Sequence, residues 1–141
     1  MLVRLIYTSR AAKPITPETL HPILRVSRAH NTAAGITGVL VFADGVFLQL
    51  LEGGRNAVNA LYNRIARDAR HSDLVLLAYD EVAERRFAGW SMGQANLSRL
   101  NPGTLLKYSE RPVLDPYQLT GQATLALFEE LVQTAVIDCS P

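Results

Sequence analysis

At 141 residues the chain is sized for one domain with a real core, and 48% hydrophobic against 19% charged residues excludes a disordered chain. A formal net charge of +1 gives no general attraction to nucleic acid or to an anionic membrane surface. The one cysteine, Cys139, cannot close an internal disulfide and no CxxC or Cys/His cluster offers a metal site; no apolar run approaches the roughly 20 residues of a membrane helix, and the expected location is cytoplasmic.

LVRLIYTS at 2–9 is apolar and rich in strand formers, and it reads as the first strand. Thr16, Pro17 and Glu18 then give a hydroxyl cap, a proline at the first helical position and an acid at the positive end of the dipole. The helix is expected to reach about Asn31, with a kink at Pro22 or a start nearer His21, because an interior proline removes a hydrogen bond. Leu20, Leu24, Ser27 and Asn31, spaced by four, three and four, share a face that begins apolar and ends polar.

GITGVLVF and VFLQLLE flank ADG, and Asp44-Gly45 between two strand-like runs signals a hairpin. A second helix is expected over 56–71, with Asn56 as cap and Val58, Leu61, Tyr62, Ile65 and Ala69 as its apolar stripe. Arg67, Arg70 and His71 would then occupy its last turns, where cations suit the dipole. LVLLAYDEV and GWSMGQAN follow as strands joined by ERRF. The order β-α-β-β-α-β-β predicts an α+β, ferredoxin-like sheet with both helices on one face.

The tail opens with the turn-rich NPGTLLKYSERPVLDP. Leu125, Phe128, Leu131, Val132, Ala135 and Val136 then mark an amphipathic helix, expected to cover the second face of the sheet or to serve a dimer or partner interface. The organisation expected is a domain over 1–97 and a helical extension over 98–141 in the same compact unit.

Several polar residues stand in apolar company. Gln49 lies inside VFLQLLEG, and a buried amide has two donors and an acceptor to satisfy, each costing roughly 1–3 kcal/mol if left alone. Either the fold or a ligand must supply its partners. Tyr7 ends the first strand, Asn31 ends the first helix, and Arg64 and Asp68 lie one turn apart on the second. Singly, each has an ordinary role: a packed ring, a helix cap, and an i,i+4 ion pair of a few tenths of a kcal/mol, about 0.2–0.5.

YTSRA, AHNTAAGITG, GVFLQLLEG, LYNRIARDARH and RRFAGWSMG, in this order, resemble a BLUF domain, the blue-light sensor that uses a flavin. The resemblance covers 1–97, and the remainder is similar to the short helical extension of single-domain members. It implies a bound FAD, with FMN or riboflavin as alternatives, lying between the two helices. Leu24 and Ile65 would pack on the ring, and the Asn31 amide would pair with its carbonyl/N–H edge, with His30 in support. Arg64 and Asp68 would contact the ribityl and phosphate side, and Ser27 would add to these polar contacts. Gln49 would sit between the Tyr7 hydroxyl and the flavin edge.

The resemblance further implies a mechanism: an electron and then a proton leave Tyr7 by way of Gln49, whose rotation or tautomerisation leaves a red-shifted state that reverts in the dark. Trp90 and Met92 match the family's signalling pair, and strand alternation places both on one face, where only one can fill the site beside Gln49. No substrate is consumed, so a sensor rather than an enzyme is expected. With no recognisable output domain, the signal would go to a separate, unidentified protein or into a change of homo-oligomeric state. The competing reading is a flavin-binding or ferredoxin-like hydrolase or oxidoreductase, which would need a phosphate cradle or a nucleophile–base pair that the sequence does not offer.

Overall fold

Residues 3–9 of the first strand are buried without a break, which requires a sheet covered on both faces. The computed structural model, which describes residues 1–95, 100–134 and 137–138, shows how the chain achieves this. Its elements are β1 (Leu2–Ala11), α1 (Pro17–Ala34), β2 (Thr37–Ala43), β3 (Val46–Gly54), α2 (Arg55–Arg67), β4 (His71–Val82), β5 (Gly93–Ala95), α3 (Pro102–Leu106), α4 (Gly121–Gln133) and β6 (Ile137–Asp138). The strands lie in the order β4-β1-β3-β2-β5-β6. The β1–β3, β1–β4, β2–β3 and β5–β6 pairs are antiparallel, and β2–β5 is parallel. This is the expected ferredoxin-like α+β arrangement.

Alternation along the strands sorts the core into two layers. Val3, Leu5 and Tyr7 of β1, Leu40 of β2, and Phe47 and Leu51 of β3 meet Leu20 and Leu24 of α1 and Val58 of α2. Ile6, Val39, Val41, Leu48 and Leu50 point the other way and meet Leu127, Phe128 and Leu131 of α4. The tail helix therefore covers the second face. That layer also holds a buried ion pair, Arg4 Nε to Glu52 Oε2 at 2.9 Å. The same carboxylate accepts the backbone N–H groups of Arg86 (3.1 Å) and Phe87 (2.8 Å), tying the β4–β5 connection to the sheet.

Local signals explain most boundaries. Thr16 caps α1 in a capping box with Thr19, and Gly35 ends it at φ +72°, a left-handed cap that glycine adopts without steric cost. Helix α1 runs three residues past the expected end and starts at Pro17, with Pro22 accommodated inside it. The β2–β3 hairpin turns on Asp44 (φ 52°) and Gly45 (φ 76°), the two positive angles of a primed turn.

Four expectations are corrected. Helix α2 opens at Arg55 with Gly54 at the cap position and no side-chain cap, so Asn56 does not cap it. It stops at Arg67, since Asp68 turns extended (φ −77°, ψ 122°) and its carboxylate takes the N–H of Arg70 at 2.9 Å. An Asx turn thus outcompetes the helix at that point. Ala69 and Arg70 therefore lie beyond the helix, and His71 opens β4. The last strand of the domain shrinks to Gly93–Ala95, and the chain gains the short β6 where helix was expected to be ending. Asn96, Ala135, Val136 and Cys139 lie outside the described residues. Among the described residues no helix is long and apolar enough to cross a membrane.

Candidate functional site

Between α1, α2 and the central strands lies a cavity of about 260 Å³. Its walls are largely apolar: Ile15, Leu20, Ile23 and Leu24 from the α1 side, Leu61 and Ile65 from α2, and Leu40 and Phe47 from the sheet. Tyr7, Ser27, Asn31, Gln49, Arg64, Asp68, Arg70 and His71 supply its polar groups. The one-face spacing of Leu20, Leu24, Ser27 and Asn31 thus becomes one wall, apolar at one end and polar at the other.

The floor is set by strand register. Tyr7 and Gln49 are direct cross-strand partners in the β1–β3 ladder, and Leu40 faces Gln49 from β2. The Tyr7 hydroxyl donates to Gln49 Oε1, and Gln49 Nε2 donates to the sulfur of Met92 at 3.2 Å. A thioether sulfur is an acceptor only, so this contact fixes the amide with its nitrogen toward Met92. The second N–H of Gln49 has no partner among the described residues. Burial pushes the Tyr7 phenol well above its ordinary pKa, and Tyr62 and Asp68 add to the shift. Burial thus favours the protonated phenol. The ring of Tyr62 meets it edge-on at 6.0 Å.

The rim is charged. Arg70 donates to Asp68 from Nε (3.0 Å) and Nη2 (2.6 Å), and these bonds hold the Asp68 carboxyl down at about 2. The expected Arg64–Asp68 pair does not form, because Asp68 has left the helix; Arg64 instead meets His30 Nε2. His30 is exposed and does not line the cavity, so it reaches the site only through Arg64. His71 places Nδ1 2.8 Å from Ser9 Oγ and packs on Phe47 with ring centroids 4.9 Å apart. Burial, the largest influence, lowers its pKa.

Tyr7, Leu24, Ser27, Asn31, Gln49, Arg64, Ile65 and Asp68 are thus brought together around one space. Phe47, Leu20 and Leu61 also line the cavity, each one strand repeat or one helical turn from an expected contact residue. Arg70 and His71 were misplaced on the helix, and only the Asp68 turn signal could have moved them. Trp90 and Met92 are a clear correction. Met92 is fully buried in the cavity-side layer, whereas Trp90 packs against the α4-side layer. Period-two alternation fails because residues 91 and 92 lie in a bend, not in the strand.

Asn31 tests whether a ligand fits. It is 2% exposed and lines the cavity, yet its side-chain amide has no hydrogen-bond partner among the described residues. The amide opens on the cavity, where the polar edge of a ligand can supply its partners. Apolar walls with an amide facing the cavity on one side and a phenol–amide pair below suit a planar ring with donors and acceptors along its edge, as a flavin has. The class defined by fold and site is an α+β domain whose cavity, between two helices and a sheet, suits a planar cofactor.

The chain belongs to the BLUF family, described as "Sensors of blue-light using FAD", which it matches over residues 2–93. The family's cofactor is therefore a flavin, FAD. Among solved structures, the photo-activated state of BlsA is similar with a TM-score of 0.83 and 30% identity, covering 100% of this chain and 99% of that one. The dark-state structure of the BLUF protein BlrB gives a TM-score of 0.74 at 29% identity over 95% and 96% of the two chains. The photoactivated adenylate cyclase subunit alpha of Euglena gracilis is 40% identical over 84 residues, which are 60% of this chain and 8% of that protein. The blue light- and temperature-regulated antirepressor BluF of Escherichia coli (strain K12) is 33% identical over 87 residues, 62% of this chain and 22% of that protein. The chain thus spans about a tenth of the cyclase subunits it matches.

Proposed function

We propose that this blue-light sensor works through Tyr7, Gln49 and Met92, with Leu24, Ser27, Asn31, Arg64, Ile65 and Asp68 holding the cofactor and His30 orienting Arg64. The continuous chain from the Tyr7 hydroxyl through the Gln49 amide to the Met92 sulfur, beside the cavity, carries this reading. A bound flavin would supply blue-light absorption and, once excited, an oxidant for the Tyr7 phenol, to which the electron would return as the dark state recovers. The hydroxyl proton of Tyr7, kept in place in the dark by burial, moves along its hydrogen bond to Gln49 Oε1. An amide has nearly the same shape at both ends but opposite hydrogen-bond polarity. Rotation or tautomerisation of Gln49 therefore exchanges donor and acceptor with little displacement. Where rotation turns the carbonyl toward Met92, the sulfur loses its donor, and the change reaches the segment that leads into β5.

Residues 1–97 then form the photosensory part and 98–141 an extension docked through α4. The protein is read as a cytoplasmic sensor rather than an enzyme, passing its signal to a separate partner protein. Relatives named for adenylate cyclase and antirepressor activity support an effector downstream. A homo-oligomer is supported by the edge strand β4, which exposes Val75, Leu76 and Tyr79. Tyr7→Phe should give a yellow protein without a reversible red shift in its light-minus-dark spectrum. An undiminished shift in that variant would refute the role of Tyr7.

A further inference from the structure

Met92 is gripped at two atoms. Its sulfur takes the Gln49 amide, and its backbone carbonyl takes Nε of Arg28 from α1 at 3.0 Å. Backbone pairing flanks this contact on both sides, β5 lying between β2 and β6. Upstream, the N–H of Gly38 donates to the Trp90 carbonyl at 2.8 Å. Downstream, β5 is three residues long and meets β2 at only two register positions, Val39↔Gly93 and Leu40↔Gln94. So short a parallel pairing holds weakly by itself. The Arg28 bond is charge-assisted, hence stronger than the neutral backbone bonds around it.

Arg28 also has a telling position. It follows Ser27 and precedes Asn31 by three residues, so the helix that walls the cavity is the helix that holds the entry to β5. Because the acceptor is a backbone carbonyl, Arg28 acts on the segment and not on the methionine side chain as such.

We propose that Arg28 is a positioning residue: by holding the Met92 carbonyl it keeps the Met92 sulfur on the Gln49 amide, and so sets how readily Met92 leaves its buried site. Its meaning for signalling rests on the photochemical reading above, but the contact itself is a property of the dark protein. Motion of α1 against a bound ring is thereby coupled to the same segment that Gln49 controls, giving Met92 two inputs.

The composition makes the test clean. The chain has two methionines, Met1 and Met92. Met1 is 68% exposed and Met92 is fully buried. In flavin-loaded protein kept dark and labelled with ¹³C-methyl methionine, a soluble gadolinium chelate should broaden the Met1 signal and spare that of Met92. Arg28→Ala should shift the buried-to-exposed ratio of Met92 about tenfold, the effect of losing one charge-assisted hydrogen bond, and expose its methyl to the chelate. Arg28→Lys, whose ammonium can still donate, should restore most of the protection, which a purely packing role would not require. Arg28→Leu keeps an aliphatic stem and should behave as Arg28→Ala. Full protection of Met92 in either Arg28→Ala or Arg28→Leu overturns the proposal, as does a failure of Arg28→Lys to differ from them. The light-minus-dark spectrum is recorded on the same wild-type sample. If it shows no shift, the photochemical reading falls, while the accessibility result, taken in the dark, still decides the role of Arg28.

Discussion

The two faces of the sheet solve the same problem in opposite ways. On the α4 side the buried polar groups at the sheet find partners inside the protein, and there, among the described residues, only Glu130 Oε2 of α4 is left without one. Glu52 takes Arg4 and two backbone N–H groups, Thr8 Oγ1 donates to the Phe47 carbonyl at 2.8 Å, and Thr124 Oγ1 donates to the Gly121 carbonyl at 2.8 Å. On the α1/α2 side the accounts stay open. Asn31 has no described partner, Gln49 has a spare N–H, and the space between them is a cavity. Burial alone therefore does not mark a functional residue. An unmet hydrogen-bonding capacity facing a cavity does, because an unpaired buried group is expensive unless a ligand completes it.

The contrast can be broken most severely at Glu52. Glu52→Ala leaves Arg4 charged and unpaired and strips two backbone N–H groups of their acceptor, so chemical denaturation should show a loss of about 3–5 kcal/mol. A loss under about 1 kcal/mol would mean that the far face does not depend on this network. Asn31→Ala asks the opposite question. Protein without flavin should keep its stability within about 0.5 kcal/mol, since no internal bond is lost. Flavin titration should instead show affinity falling about tenfold, the worth of one hydrogen bond to a polar edge. If stability falls and affinity does not, Asn31 belongs with the self-satisfied groups.

The smallest effects concern acid. Asp68 titrates at about 2 in the fold against an ordinary 3.8, so the stability it adds is complete above about pH 4 and is lost as pH falls toward 2. His71 is lowered below its ordinary 6.5 by burial, so the unfolded chain takes up its proton first and stability declines as pH falls below 6.5. His71→Gln should flatten the stability–pH curve just below 6.5. Asp68→Asn should flatten it between about 4 and 2, at a cost of only about 0.2–1 kcal/mol for so exposed a pair. Unchanged slopes in both variants would remove these groups from the acid response of the cavity side.

Much of the site was legible because it rests on local periodicity. The spacing of Leu20, Leu24, Ser27 and Asn31 placed four cavity residues on one wall, whereas the place of the Gln49 amide came only from the resemblance. The hairpin at Asp44-Gly45 gave the β2–β3 register. What failed did so where a local rule met a competing bond. Asp68 sits at a spacing that fits a helical pair with Arg64, but its carboxylate captured the Arg70 N–H and ended the helix. Trp90 and Met92 fit alternation on paper, but the chain bends between them and sends them to opposite layers.

By itself, the order of residues determined the element types, the apolar wall, and the presence of a phenol and an amide able to share a proton, since helix and strand periods and side-chain chemistry are local properties. Only the tertiary structure decided that Tyr7 lies across from Gln49, that Met92 rather than Trp90 receives the amide, and that Arg28 reaches the carbonyl 64 residues away. Those contacts arise from strand order and helix docking, which are settled by burying two faces of one sheet at once, and no short stretch of sequence contains that information.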